Sequence, residues 1–301
     1  MKTYQSSSFY LSTLCAGAVA VGLSLNASAQ NLDGTLSAFY GSPLAVQTIN
    51  TGFGNSTYSG TPNGPDANGS ELDAGYGVMS GGNLDLFLAG DYENNGNHLD
   101  VFINSGTPGQ NTLNISGGWT ASAMNGSVFS PGFYAGTMLD LNDYQGTLYV
   151  DQYVLSAGGS VNSYLGGVSL TAGIGNAVLG GMTVALNNSH VSTMGTAGAA
   201  LSGATSGAST TTGLELQIPL SSLGYTSGSI EVLADINGGG DSYLSDQFLP
   251  GLPVGTGNLG NGGVFNFSET PDEYFTVVPE PGTISLLGLS LAGWLSSRRR
   301  K

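Results

Sequence analysis

Residues 83–92, NLDLFLAGDY, and 98–104, HLDVFIN, decide the fold. In the first, Leu84, Leu86 and Leu88 fall on alternate positions, and in the second Leu99, Val101 and Ile103 do the same. A period of two puts each set on one face of an extended chain, the pattern of a strand with a buried face. Between them runs GDYENNGN, rich in residues that favour turns, so the two are predicted to pair as a β-hairpin. Apolar patterning predicts further strands near 134–141, 147–155, 164–170, 178–186, 214–218, 230–236 and 274–278. Fifty glycines, with little Glu or Lys, argue against long helices. The expected fold is all-β: a single antiparallel β-sandwich, jelly-roll or immunoglobulin-like, over residues 30–277. Residues 192–213, low in complexity and nearly free of bulky side chains, are predicted to be a flexible surface loop within it.

The two ends are of another kind. Lys2 precedes an apolar stretch over 9–25 that closes on Ala27, Ser28 and Ala29 before Gln30. Small residues at that spacing mark a signal peptide, residues 1–29, cut by signal peptidase so that Gln30 begins the mature chain. The only cysteine, Cys15, leaves with it, so no disulfide or thiolate site is expected. At the other end Pro279, Glu280 and Pro281 are followed by an apolar run, with a membrane helix expected over 283–297, and then by Arg298, Arg299, Arg300 and Lys301. That order resembles the PEP-CTERM sorting signal of Gram-negative bacteria over 278–301. The resemblance implies exosortase as the processing partner, transient lodging in the inner membrane, and a place on the cell surface or in an exopolysaccharide matrix.

Lys2 and the last four residues are the only Lys and Arg in the chain, so residues 30–278 contain none, against nineteen carboxylates once Glu280 is set aside. Nucleic acid is excluded as a partner, because phosphate binding depends on Lys and Arg. Each carboxylate must be solvated, hydrogen-bonded, protonated or bound to a cation.

Catalytic signals are sparse. His98 and His190 have no metal-type spacing and are expected to be polar surface residues; no serine sits in G-x-S-x-G. No enzyme is predicted. In DYENNGN, Asp91, Glu93 and Asn95 take the first, third and fifth positions of a calcium loop, with Gly96 at the sixth; Phe102 at the twelfth excludes a full EF-hand. The same residues suit an ordinary turn, so calcium and plain turn stand as alternatives. Two weaker oxygen-rich turns offer Asp66, Asn68, Ser70 and Asp73, and Asp235, Asn237 and Asp241. Tyr58, Tyr76, Tyr92, Trp119, Tyr144, Tyr164 and Tyr243 lie in or near Gly- and Asn-rich segments, where an exposed ring can stack on a sugar.

The segments LDGTLSAFYG, GGNLDLFLAG, GLELQIPLSSLG and GSIEVLADIN resemble a set of secreted PEP-CTERM proteins without assigned activity. Asp33-Gly34, 84–90, 102–104 and 215–219 also resemble, more faintly, the DOMON-like sandwiches that include family 9 carbohydrate-binding modules. Asn104 stands where that pattern has an acid. The expected function is that of an exported, non-catalytic matrix or surface protein with a polysaccharide ligand; a purely structural adhesive and a glycan-active hydrolase are the alternatives.

Overall fold

A computed structural model describes residues 30–47, 53, 70–171, 173–189 and 207–280. The signal peptide, His190, Pro281, the expected membrane helix and the terminal arginines lie outside the described residues.

Two antiparallel sheets form a sandwich. The first runs β1 (Ala45–Val46), β2 (Glu71–Ser80), β3 (Asn83–Asp91), β10 (Gly213–Pro219), β9 (Met182–Asn187), β8 (Ile174–Leu179). The second runs β13 (Gly260–Asn261), β12 (Tyr243–Leu249), β11 (Ile230–Asn237), β4 (His98–Asn104), β5 (Thr137–Tyr144), β6 (Thr147–Ser156), β7 (Gly159–Ser169), with β14 (Phe275–Val277) also on β11.

The predicted hairpin does not form: β3 pairs with β2 and β10, whereas β4 pairs with β5 and β11 in the opposite sheet. Leu84, Leu86 and Leu88 instead meet Leu99, Val101 and Ile103 across the inter-sheet core. Alternation reports which face is buried and carries no information on the neighbouring strand. The connecting residues cross the edge of the sandwich, where the buried Tyr92 hydroxyl donates to the Asn97 and Leu141 carbonyls and Asn188 brackets the Tyr92 backbone.

The other strand predictions shift by a few residues, except that 178–186 divides into β8 and β9. Gly180 and Gly181 stand there at φ 58° and 89°, the left-handed pair that a two-residue hairpin turn requires. Strands β2 and β12 were not predicted: buried polar residues, Glu71 and Asp73 in β2 and Ser245, Asp246 and Gln247 in β12, interrupt their apolar runs. Of the predicted flexible loop, 192–206 lie outside the described residues. Its end is ordered: Gly207–Ser209 is a 3-10 turn, and the buried Thr210 hydroxyl donates to Asp73 Oδ2 at 2.7 Å.

Of the segments compared above with DOMON-like sandwiches, 33–34, 84–90 and 215–219 adjoin at the first sheet, whereas 102–104 lies in β4 of the second. The Asp33 and Gly34 amides each donate to Glu215 Oε2 at 3.0 Å, while Tyr40 Oη and Gln30 Nε2 donate to Oε1. A second core covers the outer face of the second sheet. Residues 105–136 and 250–274 fold over it and bring Phe129, Phe133, Phe265 and Phe267 onto Phe102, Met138 and Phe248. Ring centroids there are 5.0–6.0 Å apart, mostly edge to face. Where this cover ends, the site begins.

Candidate functional site

Strand register places side chains on the outer face of the second sheet in rows. One row is apolar: Leu233, Phe102, Met138 and Tyr153. The next is Asp235, Asp100, Asp140 and Asp151, one aspartate on each of β11, β4, β5 and β6, each directly opposite the next. The third is Asn237, His98, Asn142 and Tyr149. Like charges directly opposed on neighbouring strands destabilise a sheet, so the aspartate row needs compensation.

A fifth carboxylate enters from the β11–β12 connection. Asp241 has a left-handed backbone, φ 51°, and a Cβ on Gly263 would collide with its carbonyl oxygen. Thr120 Oγ1 donates to Asp241 Oδ2 at 2.5 Å. His98 Nδ1 lies 2.6 Å from Asp140 Oδ1 and 3.4 Å from Asp241 Oδ1. Among the described residues, His98, Asp140 and Asp241 form the one group whose metal-ligating atoms all lie within 4.8 Å of one another.

Burial makes this cluster costly. Asp100, Asp235 and Asp241 are fully enclosed, and neither carboxylate oxygen of Asp100 or Asp235 has a hydrogen-bond partner among the described residues. Burial first, then the charges of Asp241, Asp235 and Asp140, hold the Asp100 carboxyl well above the usual range. Asp235 is raised by burial, Asp241 and Asp140. Asp241 is pushed up to about 7 by burial and Asp140, against the lowering effect of His98 and Thr120. Burial would lower His98, but the hydrogen bond to Asp140 and the charges of Asp140 and Asp241 outweigh it and raise its pKa. The prediction that His98 is a surface residue is therefore corrected: it is the buried basic partner of an acidic cluster.

Above the cluster the surface opens into a cleft of about 420 Å³ lined by Trp119, Tyr149, Tyr164, Asp140, Asp151 and Asn162, among others. An adjoining hollow of about 360 Å³ shares His98, Trp119 and Asn142 with it and adds Tyr144. Trp119 is 86% exposed and Tyr164 60%, and Tyr144 and Tyr149 are also exposed. Exposed rings thus stand around a floor of amides and carboxylates. Asp151 accepts from Asn162 Nδ2 at 3.1 Å.

Of the aromatic candidates, Trp119, Tyr144 and Tyr164 reach this cleft; Tyr76 and Tyr92 are core, Tyr243 stacks on Phe53, and Tyr58 lies outside the described residues. Of the three oxygen-rich turns, the one around Asp235, Asn237 and Asp241 is where the cluster stands. Asp91 and Glu93 face a separate buried acidic group with Glu71, Asp73 and Asp143. Asn95 is committed to the turn: its Nδ2 donates to Glu93 Oε2 at 2.8 Å and its Oδ1 accepts from the Asn97 amide at 3.0 Å. The cavity beside Asp91 is only about 10 Å³, scarcely one water. In the third turn Asp66 and Asn68 lie outside the described residues, while Ser70 and Asp73 join the Asp91 neighbourhood; the Ser70 hydroxyl accepts from the Glu93 amide at 3.1 Å.

Asp100, Asp140 and Asp151 were missed by the sequence reading. The available signal was an aspartate in the middle of four apolar strands, LDV, LDL, VDQ and ADI, where Asp is disfavoured.

Gln30, the expected first mature residue, is held by Tyr40 and Glu215, and Ala27 and Ala29 lie outside the described residues. At the other end Pro279 bridges to Met79, and Glu280 is the last described residue. No curated protein and no solved structure matches the chain. Residues 277–301 match the family described as the PEP-CTERM protein-sorting motif, so the chain carries the signal by which exosortase substrates are secreted and sorted to the cell surface.

Proposed function

We propose that the sandwich is a non-catalytic carbohydrate-binding module, carried to the cell surface by its sorting motif and placed there in an exopolysaccharide matrix. The observation behind this reading is the cleft: Trp119, Tyr144, Tyr149 and Tyr164 present exposed rings beside Asn142, Asp151 and Asn162. Rings give flat apolar faces for a pyranose, and amides and carboxylates take its hydroxyls. With no Lys or Arg between 30 and 278, the cleft suits neutral or amino sugars and opposes uronates and sulfated glycans. Cleavage by signal peptidase before Gln30 and transient lodging of 283–297 in the inner membrane complete the route we infer.

The hydrolase alternative draws on Asp140 and Asp151, two carboxylates in one cleft. They sit on adjacent strands of one wall, and each is already bonded, Asp140 to His98 and Asp151 to Asn162. Glycosidase pairs instead flank the scissile bond, so this arrangement favours binding over cleavage.

Affinity electrophoresis of the full chain through gels containing a neutral polysaccharide, an amino-sugar polymer or a uronate polymer tests the reading. Retardation is expected in the first or second and not in the third. Trp119→Ala is expected to weaken it by about 2 kcal/mol, about thirtyfold in Kd. Migration unaffected by every neutral and amino-sugar polymer, or retardation unchanged in Trp119→Ala, would refute it. Release of reducing sugar, abolished by Asp151→Asn, would move the protein to the hydrolase alternative.

A further inference from the structure

We propose that a divalent metal ion of the first transition row binds beneath the cleft, coordinated by His98, Asp140 and Asp241, with Asp100 and Asp235 as the adjoining carboxylates. This goes beyond glycan binding and stands without it. The ligand atoms of the three residues lie within 4.8 Å of one another, the span across an ion whose donors sit at about 2.0–2.4 Å.

The second observation is independent of that proximity. Asp100 and Asp235 are fully enclosed, and none of their four carboxylate oxygens has a hydrogen-bond partner among the described residues. Buried ionised carboxylates persist when paired or coordinated to a metal. The sequence holds no Lys or Arg from 30 to 278 to pair them, and His98 provides at most one positive charge for five aspartates. A divalent ion adds two.

The fold also invests in the arrangement. Asp241 keeps a left-handed backbone, with Gly263 as the close neighbour that admits it. Non-glycine residues in that region concentrate at functional sites.

The donor set selects the class of ion. Calcium and magnesium take oxygen donors almost throughout, whereas imidazole suits zinc and its neighbours, and manganese accepts carboxylates readily. One imidazole nitrogen among carboxylates therefore points to Mn²⁺ or Zn²⁺. The Asp91 group lacks a histidine and has a much smaller cavity beside it.

The test strips the full chain with chelator, dialyses it against Mn²⁺, Zn²⁺ or Ca²⁺, and counts ions per chain by mass spectrometry. One tightly held Mn²⁺ or Zn²⁺ is expected, released by His98→Gln and held 10- to 100-fold more weakly in Asp100→Asn, the usual effect of altering a group around a metal centre. Asp100→Asn keeps the side-chain volume and removes a buried like charge, so it stays folded and keeps the test decisive even if His98→Gln fails to fold. Failure to retain Mn²⁺ or Zn²⁺ overturns the proposal. So does retention unchanged in Asp100→Asn but lost in Asp91→Asn, which would place the ion in the other acidic group. Glycan retardation of the stripped protein is scored separately, so either result can fail without the other.

Discussion

Replacing His98 with leucine removes the basic partner of the acidic cluster while filling much of the same space. His98 is 6% exposed and Asp140 5%, with Nδ1 and Oδ1 2.6 Å apart, so little solvent screens the loss. Removing one member of a buried ion pair costs about 3–5 kcal/mol, because the other charge is left without compensation. For a domain of this size about 2–4 °C of melting temperature goes with each kcal/mol, so the variant should melt about 6–20 °C below the wild type at pH 7 in chelator. Trp119→Ala, a surface change, should move the melt by only about 1–2 °C. The deficit should narrow at alkaline pH. The folded pKa of His98 is raised, so the stabilisation from its charge is complete below the unfolded value and is lost as pH climbs through the folded one. Above that folded value only a neutral hydrogen bond remains to lose. Differential scanning calorimetry at pH 7 and pH 9 provides the comparison. A His98→Leu protein melting within about 2 °C of wild type at pH 7 would refute the claim that the imidazole offsets the aspartate cluster.

Three further outcomes follow from the same geometry. In chelator the protein should be more stable at pH 5 than at pH 9, because burial, with carboxylate neighbours in the case of Glu71, raises Glu71 to about 9, Asp143 to about 7 and Glu273 to about 7. A carboxyl raised on folding favours the native state at low pH and costs stability as pH rises through its folded value; a urea midpoint that climbed towards pH 9 would contradict this. Gly263→Ala should destabilise the protein by about 1–2 kcal/mol through its left-handed φ of 63° alone, and the clash with the Asp241 carbonyl should also loosen metal retention; a variant with wild-type retention would show that Asp241 is positioned otherwise. Glu215→Ala removes the acceptor of the Asp33 and Gly34 amides, costing about 1–3 kcal/mol for each buried group left unpaired. The segment near residue 30 should then be cut faster in limited proteolysis, and an unchanged cutting rate would mean the segment is held by other contacts.

How legible the site was can be judged residue by residue. Asp235, Asn237 and Asp241 were visible as an oxygen-rich turn, and Trp119, Tyr144 and Tyr164 as rings in turn-rich segments. Asp100, Asp140 and Asp151 were marked only as aspartates within apolar strands, each separated from the others by a turn or more of chain. They become a site only when β4, β5, β6 and β11 are set in register. Asp91, Glu93 and Asn95 had the more suggestive local spacing, yet the structure places them in a different acidic group, with Asn95 bonded within its own turn.

The amino-acid sequence by itself determined the all-β class, the buried faces of β3 and β4, the anionic character of the domain and the sorting signal. Each of these depends on composition or on spacing over a few residues, which local chemistry dictates. Only the tertiary structure decided that β3 and β4 lie in opposite sheets, that His98 is buried against Asp140 and Asp241, and that exposed aromatic rings stand above a row of aspartates. Those features depend on strand order and register. Strand order and register are set by the packing of whole faces and by backbone pairing between distant segments, so no short stretch of the chain encodes them.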